Sequence, residues 1–168
     1  MTADASSAQP GPPYVAVIGP GDTESAEILG AAHSIGALLA RAGAVLVTGG
    51  GAGVMQAAGA GCAEAGGLSL GILAGCDRSQ ANAHSTLTVP TGLGEMRNGL
   101  VVRAADAVIC VALSWGTLSE VALAERTGVP VVVLGPWEGP LPGPEEAPSP
   151  DAAVRMALDA AQADVGRR

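Results

Sequence analysis

The chain has 168 residues, 48% of them hydrophobic but only 2% aromatic, with no Phe and a formal net charge of −8. Such a chain is apolar enough to bury a core of Val, Leu, Ile and Ala, which argues against disorder, and it lacks the basic footprint of a nucleic-acid or anionic-membrane partner. All eight basic residues are arginine, so a Schiff-base lysine for pyridoxal phosphate and the Gly-Lys-Ser/Thr of a Walker A loop are both excluded.

In chain order, residues 1–13 read as a disordered arm, and residues 14–168 as a single domain. Tyr14–Ile18 is a short apolar strand ending in Gly19-Pro20-Gly21. From about Thr23 to Ala42 apolar residues recur at helical spacing, with Asp22 or Thr23 as the cap and Gly43 as the stop. Ala44–Thr48 is a second strand, followed by Gly49-Gly50-Gly51-Ala52-Gly53 and a helix from about Val54 to Ala65. Leu68–Leu73 is a third strand, residues 74–84 a loop, and His84–Val89 a fourth strand. A helix over about Gly94–Ala104, a strand over Ala107–Leu113, a helix over Thr117–Thr127 and a strand over Val129–Leu134 follow. Residues 135–150 are rich in Pro and Gly, and about Asp151–Ala163 is a last helix.

Short apolar strands alternating with helices predict parallel βαβ units, each strand covered on both faces. The expected architecture is α/β: a Rossmann-like three-layer domain with a doubly wound, mainly parallel sheet of five to seven strands. Three cysteines, Cys62, Cys76 and Cys110, without a C-x-x-C pair predict neither a disulfide framework nor a metal site. No secretory signal pattern and no membrane-length apolar run is visible, so a cytoplasmic location is expected.

Ligands in such sheets sit beyond the carboxyl ends of the strands. Three turns fall there: Gly19–Thr23, Thr48–Gly53, and Ser114-Trp115-Gly116-Thr117 before a helix that carries Glu120. Four glycines in residues 49–53 let backbone approach a ligand closely, and the following helix start offers free N–H groups to an anion. The first turn lacks the third glycine of a dinucleotide fingerprint, and the second strand ends in Thr48 rather than an acid, which disfavours NAD. A mononucleotide or phosphorylated sugar fits better, with no cofactor. Thr117 either caps its helix or bonds a phosphate. Glu120 is either a cleft acid or the acid of a capping box, Thr117-x-x-Glu120. Arg97 and Asn98 open the preceding helix.

These residues resemble the LOG-like family. Thr48-Gly-Gly-Gly-Ala-Gly-Val-Met55 is similar to its GGG-x-x-G-x-M segment, and Met96-Arg97-Asn98, Ala105-Asp106 and Gly116-Thr117-Leu118-Ser119-Glu120 are similar to its later motifs. The resemblance covers residues 14–135 and points to the less-characterised branch that includes molybdenum-cofactor carriers. It implies a nucleoside 5′-monophosphate phosphoribohydrolase that cleaves the N-glycosidic bond, with Glu120 and Arg97 catalytic. Gly19, Thr48, Gly49, Gly50, Gly51, Gly53, Val54, Met55, Asn98, Ser114, Gly116 and Thr117 would then hold the ligand. It also implies a homodimer or higher homo-oligomer. The label lysine decarboxylase, often attached to such proteins, is ruled out by the missing lysine. One departure matters: the family's Pro-Gly-Gly-x-Gly-Thr stands here as Ala112-Leu113-Ser114-Trp115-Gly116-Thr117. Leu113 and Ser114 carry Cβ atoms where that motif has none, which favours a carrier or nucleotide sensor. The retained Arg97 and Glu120 favour the hydrolase.

Overall fold

The structure, a computed structural model, describes residues 11–164; residues 1–10 of the expected arm and 165–168 lie outside. β1 (Tyr14–Ile18) leads into α1 (Ala26–Arg41), and β2 (Val45–Thr48) into α2 (Val54–Glu64). β3 (Leu68–Leu73) and β4 (Leu87–Pro90) follow, then α3 (Asn98–Arg103), β5 (Ala107–Cys110) and α4 (Trp115–Thr127). β6 (Val131–Leu134), β7 (Glu145–Ala147) and α5 (Pro150–Asp164) complete the described chain.

The seven strands form one sheet in the order β4-β3-β2-β1-β5-β6-β7. Every neighbouring pair is parallel. Ala16 of β1 sits opposite Val47 of β2 on one side and Val108 of β5 on the other. The chain winds outward from β1 to β4, then returns to start again at β5. The order therefore reverses between β1 and β5, and that reversal opens a crevice at their carboxyl ends.

Side chains alternate across each strand and feed two cores. Val15, Val17, Leu46 and Ile109 pack with Ile35 and Leu39 of α1, Ala58 of α2 and Ala153 of α5. Ala16, Ile18, Val47 and Val108 pack on the other face with Val101 and Val102 of α3 and Val121 of α4. Small side chains allow close packing. Where α1 crosses α2, Gly36 lies against the carbonyl of Ala58, and Gly61 lies against the carbonyl of His33. A Cβ at either glycine would collide with backbone.

Several boundaries differ from the sequence reading. Ser25, not Asp22 or Thr23, caps α1: its side chain accepts from the N–H of Ile28. The cap needs an extended residue just before the first helical one, and Ser25 supplies it at φ −64°, ψ 115°. The fourth strand starts at Leu87 rather than His84, because the backbone of 82–85 folds into a turn closed by Asn82. A short 3-10 turn covers Arg78–Gln80 within the expected loop. The helix expected over 94–104 divides into a 3-10 turn at Gly94–Arg97 and α3. β5 stops at Cys110, short of Leu113. β7 was not expected at all: Glu145-Glu146-Ala147 has no apolar pattern, because it is an edge strand with two exposed charges.

The helix crossing can be tested directly. Gly61→Ala should lower stability by at least about 1 kcal/mol, since the clash outweighs the roughly 1 kcal/mol helix-propensity gain of Ala. Urea denaturation measures this, and a variant more stable than the parent would refute the close crossing.

Candidate functional site

Three turns converge at the crevice. Gly19-Pro20-Gly21 leaves β1, Gly49–Gly53 leaves β2, and residues 111–114 leave β5 for α4. The start of α3 supplies the fourth wall. Together they enclose a cavity of about 160 Å³, lined by Gly19, Gly21, Gly49, Met55, Arg97 and Asn98, and by Ser114, Gly116, Thr117 and Glu120, with Val17 and Ile18 of β1. That volume suits a phosphate or the polar end of a ligand, since whole small-molecule sites run to about 300–1,000 Å³. A groove of about 530 Å³ adjoins it, sharing Asn98 and Gly116 and continuing past Met96, Trp115 and Leu123.

Arg97 reaches across the cavity to Gly49. A Cβ at Gly49 would meet the guanidinium and the Met55 sulfur, so only glycine lets the arginine lie there. The Arg97 Nε is buried and has no hydrogen-bond partner among the described residues. Burial lowers the Arg97 pKa, and the nearby Glu120 carboxyl opposes that shift.

Glu120 is only 7% exposed. Burial pushes its carboxyl up to about 7, while Arg97 pulls it back. No salt bridge joins the two side chains. They share one cleft and sense each other's charge without touching. The capping-box alternative for Glu120 is overturned. α4 begins at Trp115, two residues earlier than expected, and its N-cap is Ser114. A capping-box acid would have to lie at the third helical residue, which is Thr117; Glu120 stands one turn further on.

Ser114 matters for the departure from the glycine motif. Its Oγ accepts from the Thr117 N–H at 3.2 Å and lies 2.9 Å from the Thr117 Oγ1. It thus occupies a helix-start donor that a glycine there would leave free for an anion. Its backbone is extended, φ −145°, so no glycine is needed for conformation. Asn98 braces the wall: its Nδ2 donates to Ser119 Oγ at 3.2 Å, which in turn donates to the Gly116 carbonyl at 2.6 Å.

The other expected residues are not among those lining the cavity. The buried Thr48 accepts from the Gly50 N–H at 3.0 Å through its Oγ1, which tightens the turn. Gly50 has φ +71° and packs against Leu73 and Gly71. Gly51 faces the Met55 methyl, and Gly53, the N-cap of α2, abuts Pro20 and Gly21. Val54 is fully buried against Gly19 and donates its N–H to the Pro20 carbonyl at 3.1 Å. Sequence reasoning missed Val17, Ile18 and Gly21 as lining. Gly21 carried a signal, as the next glycine of the first turn; the two strand residues carried none. It also missed Asn82, whose Nδ2 donates to the Gly51 carbonyl at 2.9 Å. Cys110 of β5 is fully buried, and desolvation with the Glu120 charge pushes its thiol up to about 12. A thiol held there is inert.

The buried carboxyl makes stability pH-dependent. With a folded pKa of about 7 against an ordinary 4.5, Glu120 holds a proton in the folded chain that the unfolded chain releases. Its favourable contribution is complete below about pH 4.5 and is lost as pH rises through about 7. Relative to the parent, Glu120→Gln should therefore gain up to about 3 kcal/mol between about pH 4 and about pH 8. Urea midpoints at both pH values check this, and a constant difference would count against a buried, proton-holding Glu120.

The comparisons with known proteins agree with this fold. The molybdenum cofactor binding protein of Rippkaea orientalis superposes with a TM-score of 0.82 at 32% identity, over 88% of this chain and 96% of that one. The Moco carrier protein of Chlamydomonas reinhardtii gives 0.81 at 30% identity, over 90% and 99%. An uncharacterised protein of Archaeoglobus fulgidus is 33% identical over 122 residues, 73% of this chain and 80% of that one. These similarities bear out the less-characterised branch to which the motifs pointed. The sequence model of the SLOG cluster4 family matches residues 12–161. That match takes in all three turns of the crevice together with Arg97 and Glu120, and the chain belongs to the SLOG cluster4 family.

Proposed function

We propose that the protein binds a phosphate-bearing small molecule, of nucleotide or molybdenum-cofactor class, in the β1–β5 crevice and carries it without turnover. The observation that carries this reading is the buried Arg97 guanidinium, laid over Gly49 with an Nε that no protein group accepts. A desolvated cation of this kind is stabilised by an anionic partner. The glycine turn and the start of α2 add N–H donors beside it. The 160 Å³ cavity would take the phosphate, and the adjoining groove the rest of the ligand. The similarity to proteins described as molybdenum cofactor binding and carrier proteins supports binding over chemistry. A net charge of −8 sets nucleic acid aside as cargo.

One observation favours a second reading. Glu120 titrates near 7, within the range of a general base, and faces Arg97 across the cleft. In a phosphoribohydrolase it would activate water or stabilise the sugar cation formed as the N-glycosidic bond of a nucleoside 5′-monophosphate breaks. Calorimetry with AMP, alongside an assay for free adenine at high protein concentration, separates the two. The carrier reading expects binding without adenine release, retained in Glu120→Gln and weakened roughly tenfold or more in Arg97→Ala. Adenine release that Glu120→Gln abolishes while affinity persists would establish the hydrolase instead. Failure of AMP and of molybdenum cofactor alike to bind would sink both.

The same face supports self-association. Met96 is 81% and Trp115 89% exposed, and both line the groove together with Leu123, a concentration of large apolar groups that is uncommon on a free surface. We propose a homodimer or higher oligomer formed across α3 and α4. Sedimentation should find the parent as an oligomer and Trp115→Glu as a monomer; a monomeric parent would refute the assignment.

A further inference from the structure

The segment between β3 and β4 looks like a plain connection, yet Asn82 within it is fully engaged. Its backbone N–H donates to the Gly50 carbonyl at 2.9 Å. Its Nδ2 donates to the Gly51 carbonyl at 2.9 Å, and its Oδ1 accepts from the His84 N–H at 3.0 Å. The amide orientation is fixed by these last two bonds, because exchanging N and O would break both. Two consecutive carbonyls of the glycine turn are therefore drawn to one side.

A trans peptide is planar, with its N–H pointing opposite to its C=O. The N–H groups of Gly51 and Ala52 share the two peptide planes whose carbonyls Asn82 holds. Both are turned away from Asn82, and neither has an acceptor among the described residues. Successive outward N–H groups at a turn that opens a helix make a concavity for anions. The turn itself does not enforce this arrangement. Gly50, at φ +71°, and its glycine neighbours have more backbone freedom than any other residue type. A flip of either peptide would replace a donor with a carbonyl oxygen and repel an anion.

We propose that Asn82 is a positioning residue: its hydrogen bonds to Gly50 and Gly51 lock the glycine turn in the orientation that accepts an anion. This rests on the reading that the crevice binds a phosphate-bearing ligand, and it adds the residue that sets the affinity of that site. Asn82 itself touches no ligand, since it lies on the carbonyl side of the turn. Without the lock the turn spreads over flipped forms, and affinity falls in proportion to the competent fraction.

The test uses inorganic phosphate as the probe, titrated into the whole nitrogen-15-labelled protein and followed at each amide by NMR. In the parent, phosphate should shift the Gly51 and Ala52 amides. Asn82→Ala should weaken phosphate binding by roughly tenfold. It should also split or broaden those two amides before phosphate is added, while the amides of β1 stay in place. Asn82→Asp is the second variant: nearly isosteric, it keeps the acceptor for His84 and removes the donor to Gly51. Compared with the parent in about 1 M sodium chloride, where charge acts over only about 3 Å, it should show the same loss. A parent whose Gly51 and Ala52 amides ignore phosphate would overturn the ligand reading itself. A parent that binds phosphate, with variants that bind equally well and keep single sharp amides, would overturn the role of Asn82 alone. Loss of the folded spectrum in Asn82→Ala with full affinity in Asn82→Asp would do the same, leaving Asn82 a residue of the fold only.

Discussion

Burying a guanidinium and a carboxyl in one cleft without joining them is costly, and the site is organised around that constraint. Desolvation penalises both charged forms. The Glu120 carboxyl responds by holding its proton to about pH 7. Arg97 cannot neutralise itself so readily, and its Nε is left with no partner inside the protein. The fold makes room for this with glycines on three sides of the crevice, Gly19 and Gly21, Gly49, and Gly116. Gly49 makes room for the guanidinium, and the parallel strands around it are buried on both faces. An anion in the cleft would serve the arginine and would at the same time hold the carboxyl more firmly protonated.

Much of the fold was legible in the sequence, for a physical reason. Strands such as Tyr14–Ile18 and Val45–Thr48 are central and covered on both sides, so they read as continuous apolar runs between glycine turns. β7 escaped notice because an edge strand needs no such pattern. The ends of helices were less legible than their bodies: Ser25 and Ser114 became caps because of backbone angles that sequence does not announce.

The site was legible where chemistry shows as residue type, and opaque where it depends on contacts far apart in the chain. Arg97, Glu120, Gly49, Met55 and Thr117 meet in one cavity. Thr48, Gly50, Gly53 and Val54 belong to the same motif yet are not among its lining residues, and they shape the turn. The link from Asn82 to Gly51 spans 31 positions, and nothing local to either residue hints at it. Ser114 shows how a small departure from a motif acts: a hydroxyl added to a glycine loop gives the helix start an acceptor of its own and leaves less for a ligand.

The glycine crossing of α1 and α2 has a mechanical consequence. Each helix touches the other's backbone, at Gly36 with Ala58 and at Gly61 with His33. With no side chain between them to change rotamer, the pair has little freedom to slide or separate. The turns that precede these helices, after β1 and after β2, are thereby tied into one rigid jaw. Any widening of the crevice to admit a bulky guest falls to the opposite jaw, formed by the short 3-10 turn at Gly94–Arg97 and the start of α4.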